Sequence, residues 1–90
     1  MTPEQEIKLR NQLDKLHQWP DVYLFKFIVP NETEKIKELK SYFTEQADIQ
    51  ERESKKGTYV AVSIKEVMQS TDEVVSRYRS IKTIEGLMSL

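Results

Sequence analysis

Between Pro20 and Pro30 lies the stretch that most narrows what this chain can become, Asp21–Val29 (DVYLFKFIV). In an extended strand Tyr23, Phe25, Phe27 and Val29 fall on one face, and Val22, Leu24, Lys26 and Ile28 on the other. A strand that is apolar on both faces except for one lysine belongs in the middle of a sheet. The prolines fence it. A residue preceding proline is pushed out of the α region, so any helix before Trp19-Pro20 must stop short, and Pro30 ends the strand. The rest of the chain has to supply this strand's neighbours and a layer to cover it.

The flanking segments read accordingly. Thr2-Pro3-Glu4-Gln5 is a helix start, with Thr2 as N-cap, Pro3 at the first helical position and Gln5 completing a capping box. Leu9, Leu13 and Leu16 follow at helical spacing, with Ile7 beside them. After Pro30, Asn31 is expected to cap a second helix with Glu34 as its partner, and Ile36, Leu39 and Phe43 form its inward stripe. Ala47–Ser54 (ADIQERES) is polar enough for an edge strand, where charges discourage edge-to-edge pairing. The turn Lys55-Lys56-Gly57 joins it to Thr58–Val67, where Val60, Val62 and Ile64 point inward and Tyr59, Ala61, Ser63 and Lys65 outward. Ser70 to Glu73 reads as a capping box for a third helix, whose Val74, Val75, Tyr78 and Ile81 face the core. Ile84–Leu90 is expected to close the chain as a last strand, with Gly86 as a bulge.

Setting the first helix aside, the order is βαββαβ, an α+β, ferredoxin-like arrangement. Right-handed crossovers put both later helices on one face of a four-stranded antiparallel sheet, in the spatial order 4-1-3-2 of strands numbered along the chain. The expected organisation is an N-terminal amphipathic helix and linker over residues 1–18, then a domain over 19–90.

Pro20, the aromatic strand with its lysine (Tyr23, Phe25, Lys26), the turn Ser54-Lys55-Lys56-Gly57 leading into Tyr59, and Val62-Ser63-Ile64 together resemble the YbeD-like family of small bacterial proteins. Tyr78 and Leu87 also fit that pattern, while Ala61 stands where it often has serine. The resemblance runs from Trp19 to the C-terminus. It implies a ferredoxin-like fold similar to ACT regulatory domains, and no established activity, cofactor or catalytic residue.

The side-chain inventory then removes several uses of this topology. With no cysteine there is no thiolate metal site or metal-transfer motif, and no Cys nucleophile. The lone histidine, His17, stands at a helix end, where a contact with the C-terminal dipole or with solvent suits it better than catalysis. Glu51 and Glu53 share a face but read as edge-strand solubilisation rather than a catalytic carboxylate pair. The Pro30-Asn31 connection has no glycine for an anion-binding loop. The expectation is a non-enzyme with no cofactor and no metal.

Fourteen Lys/Arg against 15 Asp/Glu give a net charge of −1, and no segment carries a basic excess. That argues against a nucleic-acid partner, as does a sheet face offering a single central aromatic, Tyr59. The opening MTPEQEIKLR lacks the apolar stretch of a secretion signal, and no apolar run exceeds four residues. A cytoplasmic protein with no membrane partner is therefore expected. What remains is binding. An open sheet face carrying Leu24, Lys26, Ile28, Tyr59 and Ser63, with Lys55 and Lys56 at the hairpin tip, is the candidate interaction surface for a regulatory or protein-interaction module. Its partner would be a protein or, in the ACT-like alternative, a small metabolite; a homodimer stays open. The leucine stripe of the first helix is free to cover this same face, to pack on another chain, or to wait for a partner.

Overall fold

The computed structural model describes residues 1–90. Its elements are α1 (Pro3–Leu16), β1 (Asp21–Pro30), α2 (Thr33–Ser41), β2 (Asp48–Glu53), β3 (Tyr59–Met68), α3 (Thr71–Ile81) and β4 (Met88–Ser89). The four strands form one antiparallel sheet in the order β2-β3-β1-β4, which is the ferredoxin-like order with β1 and β3 central. No helix is long and apolar enough to cross a membrane.

Strand parity decides what is inside. Phe25, Phe27 and Val29 from β1 and Val60, Val62, Ile64 and Met68 from β3 are buried against Leu39 of α2 and Val74, Val75 and Ile81 of α3. Each such side chain contributes about 1.5–3 kcal/mol by leaving water. The intervening residues of β1 and β3 face the other way, and no helix covers them.

Four local expectations change. Asn31 does not cap α2. Glu32 stands at the N-cap without a side-chain bond, and the helix begins at Thr33. The reason is that β1 stays paired through Pro30↔Tyr59, so Asn31 is still held at the hairpin. Its N–H donates to Thr58 O at 2.9 Å and its Nδ2 to Gly57 O at 2.8 Å. Phe43 lies just beyond the end of α2 rather than in its stripe, yet it packs edge-on against Phe25 with centroids 5.2 Å apart. At Ser70 only half of the box forms: Ser70 Oγ accepts from Glu73 N–H, while Glu73 Oε1 accepts from Gln69 N–H instead of the cap's own. The last strand is only Met88–Ser89. Turns closed by Ile84 N–H on Ile81 O and Leu87 N–H on Ile84 O occupy the preceding residues, and Gly86, at φ +82°, is a turn residue and not a bulge.

The first helix forms with its Thr2–Gln5 capping box, but it covers neither the open face nor a second sheet. It lies against α3 in the helical layer. Leu13 is its one buried residue; Leu9 is half-buried, and Ile7 and Leu16 stay exposed. Polar contacts do the rest: Arg10 reaches Asp72, Arg79 reaches Glu6, Asp14 accepts from the Thr71 hydroxyl, and the Trp19 indole donates to Thr71 Oγ1 at 2.9 Å. The hydrogen bond from Arg79, against the opposing effect of burial and helped by that from Arg10, holds the Glu6 carboxyl below its usual 4.5. A lowered folded pKa means this stabilisation is complete above about pH 4.5 and is lost as the pH falls through the lower value. Acid is therefore expected to loosen α1 from α3. The emission of Trp19, the only tryptophan, should shift on acidification at low salt, and Glu6→Gln should abolish most of that shift.

Candidate functional site

The open face is laid out by the strand register. Leu24 stands opposite Lys65, Lys26 opposite Ser63, Ile28 opposite Ala61 and Pro30 opposite Tyr59. β2 adds Asp48, Gln50 and Arg52, and β4 adds Met88 beside Ile28. The candidate residues Leu24, Lys26, Ile28, Tyr59 and Ser63 thus share one surface. Lys55 borders a hollow of about 550 Å³ at its hairpin end, with Ile28, Arg52, Tyr59, Ala61 and Met88. Lys56 is exposed at the tip and does not line that hollow.

Two properties set this face apart. Large apolar side chains remain in water: Val22 is 53 % exposed, Val67 54 %, Met88 53 %, Tyr59 42 % and Leu24 40 %. The face is also cationic. Lys26, Lys65 and Arg52 share it with Asp48, while Glu53 and Lys55 both border the hollow at its hairpin end, and none of the three cations makes an ion pair. Most of the other acids sit elsewhere, and Glu6, Glu32, Glu51, Glu66 and Asp72 are paired with arginines or lysines of the helices. A balance counted along the sequence hides this sorting, because alternate residues of a strand go to opposite faces.

The other candidates resolve into structural roles. His17 caps the end of α1, bonds Asp21 Oδ2 through Nδ1 at 2.8 Å and stacks on Trp19 at 4.7 Å. That bond, with the Val22 N–H, holds the Asp21 carboxyl below its usual range. Glu51 and Glu53 take different partners, Lys40 Nζ at 2.8 Å and Asn31 Nδ2 at 3.5 Å, and make no carboxylate pair. Phe25 and Phe27 are buried, so their rings offer no surface for stacking bases. On the helical side, the Tyr23 and Tyr78 hydroxyls meet at 3.0 Å at a cleft of about 510 Å³ between α1, α3 and the end of β4. Burial, then the bond from Tyr23, pushes the Tyr78 hydroxyl well above its usual pKa, so it stays neutral.

One pair escaped the sequence reading. Glu66 continues the inward parity of Val60, Val62 and Ile64, and it is the one buried charged residue, at 6 % exposure. Arg77 of α3 answers it, with Nη1 3.3 Å from both carboxylate oxygens, and its guanidinium lies 4.9 Å from the Phe43 ring centroid. The signal was present in the alternation itself, which carries a glutamate to a core position.

Comparison with known proteins adds one positive finding. A family described as "Protein of unknown function (DUF493)" matches residues 14–90, which agrees with the YbeD-like resemblance and extends it into the last turn of α1. No curated protein and no solved structure matches the chain.

Proposed function

The chain belongs to the DUF493 family, and on that premise we propose that it is a non-catalytic, regulatory interaction module whose open sheet face docks an acidic, partly apolar protein surface. The observation that carries this reading is the coincidence of three unpaired cations, Lys26, Lys65 and Arg52, with exposed Leu24 and Met88 and half-buried Ile28 on one uncovered face. Exposed apolar area of this kind favours a partner, and cations without counter-charges select an acidic one and speed its approach. On the helices the unpaired lysines Lys8, Lys15 and Lys37 alternate with acids such as Glu4, Asp14, Glu34 and Glu38, so no comparable excess of cations forms there.

A photo-crosslinking residue placed at Ser63 in the full chain, expressed in cells, tests this. The expected adduct maps to an acidic segment of its partner and falls at least about tenfold in yield with Lys26→Glu/Lys65→Glu. These surface changes should leave stability within about 0.5 kcal/mol. An adduct indifferent to charge reversal, or equal labelling from Glu34 on α2, overturns the assignment.

A further inference from the structure

The strand register lines up one row of side chains across the whole sheet. Arg52 of β2 stands opposite Ala61 of β3, Ala61 opposite Ile28 of β1, and Ile28 opposite Met88 of β4. The row lies on the open face and is graded, with a cation at one end and two apolar side chains at the other. Between them Ala61 fills little of the space, and the hollow of about 550 Å³ opens over it. The hairpin wall of this hollow is fixed before anything binds. Ser54 N–H donates to Tyr59 O at 2.9 Å, Tyr59 N–H to Ser54 Oγ at 3.2 Å, and Asn31 Nδ2 to Gly57 O at 2.8 Å. The hollow lies toward the Pro30 end of the sheet, whereas β4 runs from Met88 toward Lys26, away from it.

The two sides of the hollow differ in chemistry. On the β2 side stand Arg52 and Lys55, neither in an ion pair. The acid there, Glu53, accepts from Asn31 Nδ2 at 3.5 Å. On the β4 side the Ile28 and Met88 side chains offer no charge. We infer that this hollow is the anchor socket of the face, an assignment that rests on the docking function proposed above. One bulky apolar side chain of the partner, aromatic or long aliphatic, lies over Ala61 between Tyr59 and Met88. A carboxylate beside it meets Arg52, one strand spacing of about 4.8 Å toward β2. Neighbouring side chains on one face of a single segment span that separation. A second copy of this chain fits the socket poorly. Face against face, Lys26, Lys65, Arg52 and Lys55 of both molecules would meet with only Asp48 and Glu53 to offset them. Head-to-tail insertion uses a different surface on each molecule and does not close into a pair.

Twelve-residue peptides from a random library, selected on the full chain and counter-selected on Ala61→Ile, provide the probe. Isoleucine suits a strand and fills the hollow from an exposed position, so the fold should be kept. Selected peptides should carry an acid within about four positions of a bulky apolar residue and shift the methyl resonances of Ala61, Ile28 and Met88. They should bind Ala61→Ile at least about tenfold more weakly, and Ala61→Ser, which keeps the room, as well as the unaltered chain. Replacing the peptide's acid by alanine should weaken binding to the unaltered chain but not to Arg52→Gln. Equal binding to Ala61→Ile, no enrichment over the counter-selection, or binding that leaves the three methyls unmoved overturns the socket. The charge dependence of the Ser63 crosslink, measured separately, then shows whether the docking function stands without it. Methyl shifts that appear on raising the protein concentration alone also overturn the socket, because a second copy is then the occupant.

Discussion

Arg77→Met should cost about 3–5 kcal/mol, because it strands the Glu66 carboxylate at 6 % exposure without its cation. For a domain whose whole stability is about 5–15 kcal/mol, that is a large share. At about 4–8 °C per kcal/mol, the melting temperature should fall by roughly 12 °C or more. Glu66→Leu/Arg77→Met should recover most of the stability, since two apolar side chains need no counter-charge. Chemical denaturation of the unaltered chain and the two variants checks this. A single-variant loss below about 1 kcal/mol would mean that solvent already serves Glu66.

Phe25→Ala should cost about 3–5 kcal/mol, whereas Leu24→Ala, one residue away, should cost under about 1 kcal/mol. Phe25 is fully buried, with Tyr23, Phe27, Phe43 and Tyr78 ranged around its ring at centroid distances of 4.7–6.0 Å. Removing it opens a cavity that these four aromatic side chains cannot collapse to fill without leaving their own contacts. Leu24 faces water on the other side of the sheet. Thermal melts of the pair measure the facing of β1 directly. A larger loss at Leu24 than at Phe25 would mean that the register of the central strand is shifted by one residue.

That facing was the most legible part of the sequence. A two-residue period in Asp21–Val29 and Thr58–Val67 is dictated by the pleat, and burial of one face follows without knowing the partners. The sheet order and the shared face of Leu24, Lys26, Ile28, Tyr59 and Ser63 follow from it. What stayed hidden depends on tertiary contacts. Asn31 has the side chain of an N-cap, but a hairpin carbonyl at Gly57 competes for it and wins. The leucines of α1 announce an amphipathic helix without saying which surface it meets. Its place on α3 is set by charges at Glu6, Arg10, Asp72 and Arg79 far apart in sequence. Ile84–Leu90 has the composition of a strand, yet the chain needs most of it to turn back from α3, and Ile84 ends up as a core residue in that turn. The cationic character of the open face was concealed in the same way, by averaging along a chain that folding sorts by parity.

The charges of β2 bear on stoichiometry. Asp48, Glu51, Arg52 and Glu53 line the far edge of the sheet, where only Ile49 is apolar and half-buried. A sheet that can grow at both edges risks run-on polymers, each adduct presenting a fresh edge to the next. Here the β2 edge repels its own kind, with three acids against one arginine. Strand pairing therefore cannot run on through the sheet into fibres.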